Sequence, residues 1–270
     1  MIAHEKLNVY KFGFGQIKRA LFNTIYDKMS WDLKPIANKS KSVLNKMKDS
    51  HMGEKAVILC NGPSLLKTDF SLLSNTFTIG LNKINLLFDG VSNYRPDIIC
   101  AFDKVLNKQN VEFFKNDQEI IKILTYLSYE DVKVQREDLI YGYSIPLSDS
   151  FTYDVSHGFV DRSNTTFIAL QLAFHMGFSK VALIGADHNF GNLKPREIVI
   201  NEGDDELHFH KDYHKSGTQT QNTDKLLLDM NFRDAKIAYE NQGRNIYNAT
   251  IGGQLDIFER IDLNKFINEL

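Results

Sequence analysis

From about residue 53 onward, short apolar runs bounded by Gly, Asn and Asp recur along the chain. Residues 55–60 (KAVILC), 76–81 (TFTIGL), 97–102 (DIICAF), 120–126 (IIKILTY) and 180–185 (KVALIG) are almost continuously hydrophobic rather than alternating. A strand with no polar face is covered on both sides, and that is the condition of a parallel sheet wrapped by helices. Between the runs lie helical patterns, the clearest over residues 164–176. There Phe167, Leu170, Gln171 and Phe174 define one face, and Gly177 stands where a left-handed C-cap belongs. KVALIG comes almost at once after it, so helix, Gly and strand form half of a βαβ unit. The pattern predicts an α/β fold with a Rossmann-like, doubly wound, mostly parallel sheet and ligands at the carboxyl ends of its strands. Residues 189–224 have mixed polarity and no clean period, and read as a lid. A helix near 231–242 and a last strand at 245–248 close the domain.

The first fifty residues obey a different rule. Phe14, Ile17, Leu21, Ile25 and Met29 recur at helical spacing, with Lys18, Arg19 and Lys28 off the stripe. This predicts a basic amphipathic helical arm over residues 1–50, ahead of one Rossmann-like nucleotide-binding catalytic domain over 51–270. Such a helix packs on its own domain or on a second protomer of a homo-oligomer, or else lies on an anionic membrane. Packing is the favoured reading.

Composition narrows the classes. Of 270 residues, 43% are hydrophobic and 24% charged, the proportions of a globular protein. Net charge is −2, but residues 1–50 hold ten Lys/Arg against four acids, +6, which leaves −8 on the other 220. An acidic main domain without a basic, aromatic-interleaved stripe argues against nucleic acid as partner. Two cysteines, Cys60 and Cys100, build no disulfide framework, and no apolar run approaches the roughly 20 residues of a membrane span. With no signal-like start, the expected location is cytoplasmic, peripheral on the inner membrane face if the arm docks there.

The unusual residues fall just after the strands. Asn61-Gly62-Pro63-Ser64 comes after the first; Gly62 permits a tight turn, Pro63 fixes φ, and Ser64 caps the next segment, leaving amides for a phosphate or base. An ordinary β-turn reads as well. No GxxxxGK[ST] and no GxGxxG occurs, which disfavours a conventional kinase or dehydrogenase. Asn82 and Asp103 close the next two strands and offer donors and acceptors for a base edge or ribose; each alone reads more often as a loop cap, but three polar strand ends in succession favour a site. Arg162 to Thr166 open the best helix, where free amides, the helix dipole and the Thr165 and Thr166 hydroxyls offer an anion site to which Arg162 adds a charge; Ser163 or Asn164 reads equally as the helix N-cap, and both can hold together. Gly185-Ala186-Asp187-His188 succeeds KVALI, and His208, His210, Tyr213 and His214 lie in the lid. Histidine suits proton transfer near neutral pH, with Asp187 as an orienting carboxylate. Zinc is the competing use of His208, His210, His214 and Asp212, but the spacing matches neither HExxH nor finger patterns, so acid/base work ranks first and no metal ligand is assigned. Asp204-Asp205-Glu206 reads as a charged loop.

NGPSL at 61–65, the unit NTTFIALQLAFHMGFSKVALIGADHNF at 164–190, HFHKDY at 208–213 and IYNATIGGQLDIFERIDL at 246–263 resemble the MptE-like family, found in bacterial glycan clusters and in an archaeal 6-hydroxymethylpterin diphosphokinase. Parts of the pattern also resemble the sialyltransferases of glycosyltransferase family 42. That resemblance implies transfer of a sialic-acid-like sugar from a CMP-activated donor to a glycan acceptor without a metal. Asn61, Gly62 and Ser64 would hold the donor, Asn82 its ribose or phosphate, and Thr165 or Thr166 the base or sugar carboxylate. The lid would give the general base, His208 by the MptE-like pattern or His214 by sialyltransferase chain order. Where those enzymes have an aromatic after the Asp, this chain has His188, which with Tyr213 would take over the leaving phosphate. No cofactor is then required. Two alternatives stay open. One is an ATP-dependent diphosphokinase using Mg²⁺ on Asp103, Asp187 and the 204–206 acids; the other is a non-catalytic nucleotide-binding scaffold of a glycan-assembly complex.

Overall fold

The structure, a computed structural model, describes residues 24–88, 94–145, 150–190 and 194–269. Its strands in chain order are β1 (Lys55–Leu59), β2 (Phe77–Leu81), β3 (Ile98–Ala101), β4 (Ile121–Thr125), β5 (Leu139–Gly142), β6 (Ser144–Ile145), β7 (Phe159–Val160), β8 (Lys180–Ile184), β9 (Ile198–Ile200), β10 (Gln219–Gln221), β11 (Asn245–Asn248) and β12 (Glu259–Arg260). Eight of them form one sheet in the order β12-β11-β8-β1-β2-β3-β4-β5. Every neighbouring pair in it is parallel. The chain builds outward from β1 to β5, then returns to lay β8 against the other side of β1, so the order reverses between β1 and β8. That reversal is the topological switch point at which open α/β sheets bind ligands.

Helices cover both faces, as the continuous apolar runs require. Among the described residues the helices are α1 (24–32), α2 (Pro35–Met47), α3 (Lys104–Gln109), α4 (Val111–Asn116), α5 (Tyr129–Val132), α6 (Thr165–His175), α7 (Lys225–Glu240) and α8 (Leu263–Glu269). Successive strand residues point to opposite sides. Ile58, Ile79, Cys100 and Ile123 therefore pack with α6 and α7, while Val57, Ile99, Leu124 and Ile184 pack with Leu106, Phe114 and Phe266 of α3, α4 and α8.

α6 is buried all round from Phe167 to His175, because it lies between the sheet and α7. Its one amide side chain is matched on both ends: Val160 N–H donates to Gln171 Oε1 and Gln171 Nε2 donates to Val160 O, each at 2.9 Å. The helix stops at Gly177, whose φ of +96° and 3.0 Å approach of a notional Cβ to Met52 Cα leave no room for a side chain.

Several expectations are adjusted. β5, an edge strand of four residues that follows Asp138 and ends on Gly142, is a strand beyond those expected. α7 begins six residues before the expected start, because Asp224 accepts a hydrogen bond from Leu227 N–H at 3.2 Å and caps it there. β11 matches the expected closing strand, but β12 and α8 come after it. The segment read as an irregular lid contains a hairpin, with Ile198–Ile200 and Gln219–Gln221 paired antiparallel. Of the N-terminal stripe, Phe14, Ile17 and Leu21 lie outside the described residues. Ile25 and Met29 are 59% and 61% exposed, whereas α2 packs on β5, with Ser40 Oγ accepting from Tyr141 N–H at 3.0 Å.

Replacing Gln171 with Leu keeps the volume but strands the Val160 N–H and C=O, each worth about 1–3 kcal/mol when buried and unpaired. We expect a loss of roughly 2–4 kcal/mol in urea unfolding, against a near-neutral change if the pair contributes only packing.

Candidate functional site

At the switch point the exits of β1 and β8 grip one another. Asp187 Oδ2 accepts from Ser64 Oγ at 2.7 Å and from Ser64 N–H at 3.2 Å. Gly62 N–H donates to Gly185 O at 2.9 Å. A Cβ on Gly62 would lie 2.0 Å from Asp187 Oδ2, so only Gly fits the approach. Gly185 reaches φ +67° to turn the chain out of β8. Asp187 O then accepts from Gln254 N–H at 2.8 Å, and Ala186 N–H is held by Thr250 Oγ1 at 3.0 Å, which brings the β11 exit into the same clasp. Two expectations change here. The Gly62 and Ser64 amides are spent on the clasp and Leu65 N–H on Gly62 O, so they are not open to a phosphate. Asp187 orients Ser64, not a histidine. Pro63 begins a short 3₁₀ turn and is exposed.

One strand over, side chains rather than amides converge. Tyr213 comes down from the lid, 2% exposed, and its hydroxyl accepts from Asn61 Nδ2 at 3.0 Å and is paired with Asn82. Asn82 sits in the left-handed region at φ +48° and accepts from Thr165 Oγ1 at 3.2 Å. The exits of β1 and β2 and the lid thus meet at one phenol, and the start of α6 joins them through Asn82. Burial first raises the Tyr213 hydroxyl well above its ordinary acidity range, so it stays protonated. Two buried atoms beside this network have no partner, Asn61 Oδ1 and, one residue before Thr165, Asn164 Nδ2. Asn164 Oδ1 is committed as the cap of α6, accepting from Thr166 and Phe167 N–H at 3.0 and 3.3 Å. Thr166 Oγ1 lies 3.9 Å from Cys60 Sγ.

The lid is pinned as well as inserted. Phe209 N–H donates to Asn61 O at 2.9 Å, and Phe209 is 5% exposed. Lys83 Nζ donates to Tyr213 O at 2.6 Å and to Gln109 Oε1 at 2.7 Å. Burial, with Lys215 nearby, lowers the Lys83 ammonium to about 8. The sequence pattern does not single out Lys83, although a lysine beside Asn82 at a strand exit is the available signal.

The histidines divide into two groups. His188, in the left-handed region at φ +55°, turns to α7, where its Nε2 lies 2.7 Å from Asp229 Oδ1. Burial lowers its proton affinity, helped by Lys225; Asp229 and Asp256 act in the opposite sense and are outweighed. His208 stacks on the Tyr213 ring at a centroid distance of 4.0 Å, with Nδ1 2.9 Å from Asp205 Oδ2. His214 stands edge-on to His208 at 4.9 Å, and burial lowers it to about 4. Asp205, read in sequence as part of a charged loop, turns inward and is held low by His208, although burial pushes it up. Asp205, His208 and His214 each place one ligand-type atom within 4.8 Å of the others'.

Two remaining expected residues go elsewhere. Asp103 caps α3, accepting from Val105 and Leu106 N–H at 2.8 and 3.0 Å. Arg162 directs its guanidinium to Asp234 and Asn231 of α7, at 2.6 and 3.2 Å.

A scan against protein-family models finds no match, and a search of the curated proteins finds none either. Among solved structures the chain is similar to the sialyltransferase CstII from Campylobacter jejuni, determined in complex with the substrate analogue cytidine-5'-monophosphate. Identity is 14% and the TM-score 0.45, over 79% of this chain and 86% of that one. At that distance the likeness carries no functional weight. The resemblance to the MptE-like family rests on its four sequence blocks alone.

The His188 contact has a pH consequence. A histidine kept neutral by burial stabilises the fold above its ordinary value of 6.5, and that contribution falls away as pH drops below it, because the unfolded chain takes the proton first. His188→Asn tolerates the left-handed backbone. The variant should therefore lose less melting temperature than the wild type between about pH 7.5 and about pH 5. Parallel curves would place the pH sensitivity elsewhere.

Proposed function

We propose that the chain is a glycosyltransferase of glycan assembly that takes a CMP-activated, sialic-acid-like sugar as donor and transfers it to a glycan acceptor. The observation that carries this is the junction at Tyr213, where two strand exits, a helix start and a lid present neutral donors and acceptors to one point. On this reading the donor's ribose and phosphate take up contacts to Asn61 and Asn82 beside the Tyr213 hydroxyl, and Asn61 Oδ1 and Asn164 Nδ2 gain partners. The nucleotide chemistry is that implied by the NGPSL block and the helix–strand unit.

Transfer at an anomeric carbon needs a base for the acceptor hydroxyl and hydrogen bonds for the departing phosphate. His208 is the base. Asp205 fixes its ring through Nδ1, and the stack on Tyr213 fixes its plane, which leaves Nε2 for the acceptor proton. The Tyr213 phenol, held protonated by burial, donates to the leaving phosphate, a contact of about 2.7–4 kcal/mol if it acts as oxyanion donors do. His188, neutral and bonded to Asp229, positions α7 against the β8 exit rather than meeting the phosphate.

The diphosphokinase reading ranks second because the acids it would use do not converge: Asp103 caps α3, Asp187 clasps Ser64, and Asp205 holds His208. A thermal-shift screen separates the readings. CMP should stabilise by about 2.7 kcal/mol at one hundred times its Kd, with Asn61→Ala and Asn82→Ala abolishing the shift, whereas ATP and GDP should not stabilise. His208→Ala should retain CMP binding and cut CMP-sugar turnover by about 100-fold or more, with wild-type turnover surviving EDTA. Stabilisation by ATP alone, or turnover abolished by EDTA, would overturn the proposal; no response to any nucleotide would favour the scaffold.

A further inference from the structure

The turn that carries the lid across the strand exits also builds a compact set of metal-ligand side chains. Asp205 anchors it: its Oδ1 accepts from Leu207 and His208 N–H at 2.9 and 3.1 Å, and its Oδ2 from His214 N–H at 3.2 Å. One carboxylate thereby folds residues 205–214 so that both imidazoles face it. His208 Nδ1 lies 3.0 and 2.9 Å from its two oxygens. The backbone beyond is fixed by Asn201 Nδ2, which donates to His214 O at 2.5 Å, and by Asp205 N–H, which donates to Lys211 O at 2.9 Å. The independent sign of a missing partner is His214 Nδ1, a buried ring nitrogen with no hydrogen bond. The Asp205 side chain is only 5% exposed.

We propose that Asp205, His208 and His214 bind one divalent cation of the zinc class. Two imidazoles and one carboxylate, each with a ligand-type atom within 4.8 Å of the others', fit three arms of a tetrahedron, and the fourth position is left to water or a substrate oxygen. The nitrogen-rich donor set selects Zn²⁺ or its neighbours over Mg²⁺ and Ca²⁺, which demand oxygens. The ion takes the place of the Nδ1 proton that His208 directs at Asp205: that proton passes to water, Nε2 takes one from water, and the ring binds as its neutral Nε2–H tautomer; the ion also gives His214 Nδ1 its partner. Packing orients the set: His208 lies flat on Tyr213 at 4.0 Å. The sequence spacing, Asp-x₂-His-x₅-His, matches no common zinc pattern, and Asp205 is hidden in an acidic run.

Binding the ion ties the lid to itself beside Tyr213 and takes the ring nitrogen that orients His208. Where His208 is the base, a consequence that rests on the proposed transfer reaction, metal loading arrests turnover.

The test uses the full chain, stripped with chelator and dialysed. Co²⁺ should saturate at one equivalent with the intense visible bands of a tetrahedral nitrogen–oxygen site, and Zn²⁺ should bleach them. Zn²⁺ affinity, from competition with a chromophoric chelator, should fall by at least about 10- to 100-fold in Asp205→Asn, His208→Gln and His214→Gln. His210→Ala, a neighbouring imidazole outside the trio, should bind as the wild type does. Urea unfolding of each variant without metal shows that the body remains folded. No saturable Co²⁺ spectrum, or a spectrum retained in His214→Gln, or one lost in His210→Ala, would overturn the assignment. The spectrum is read without substrate, so a failed CMP-sugar reaction leaves it intact; one-equivalent binding with no effect on an active transferase would sever the inhibitory consequence alone.

Discussion

The contact on which the rest of the molecule depends is the hydrogen-bonded approach of Asp187 to the Gly62–Ser64 turn. Parallel strands end with unsatisfied backbone groups and loops that must run clear of one another, and at a switch point the two loops diverge by topology. Here they are drawn together instead. The carboxylate of the β8 exit lies where a Cβ on residue 62 would have been, and it takes both the hydroxyl and the amide of Ser64. With the β1–β8 crevice closed, the polar side chains gather on the other side of β1, between the β1 and β2 exits, at Asn61 and Asn82.

That shift explains the chemistry of the candidate site. In a Rossmann sheet whose first loop presents free amides, a diphosphate is gripped by backbone. In this chain the corresponding amides are consumed, and on the proposed reading the grip would pass to side-chain amides and a hydroxyl, which carry no charge. Neutral groups suit a ligand with one phosphate and many hydroxyls better than a triphosphate, whose charge calls for cations. Arg162 and Lys83, the nearest candidates for that service, are committed to Asp234 and to the Tyr213 carbonyl. Tyr213 is the partner that keeps Asn61 and Asn82 hydrogen-bonded in this structure.

Much of this is legible in the residues, and the boundary has physical causes. Five of the sheet's eight strands announce themselves because both faces are covered and their runs are unbroken; β11 does so by its place after a helix. β12, of two residues, is too short to show a period, and β5 stands at the opposite edge of the sheet, outside the expected runs. Asn61, Asn82, Thr165 and Tyr213 stand out by position after strands, at a helix start or in the lid, and these do meet. The partners of individual groups are not legible, because sequence proximity misleads: Asp187 adjoins His188 yet serves Ser64, while the carboxylate at His188 comes from α7, 41 positions away. Asp205 looks like surface charge because two acids flank it, and only the fold of the turn shows which one points in.

The lid's histidines join these threads. A histidine carried on a turn has to be oriented before it can act as a base, and the simplest orienting device is a carboxylate on its second nitrogen. Asp205 supplies that, but the same carboxylate must also satisfy the backbone of the turn, and in doing so it draws His214 into the same space. Once a carboxylate and two imidazoles share that space, the arrangement that aims a base is also three-quarters of a zinc site. On the proposed site, Asp205 and a metal ion would compete for Nδ1 of His208, while the proton transfer proposed for that ring uses Nε2.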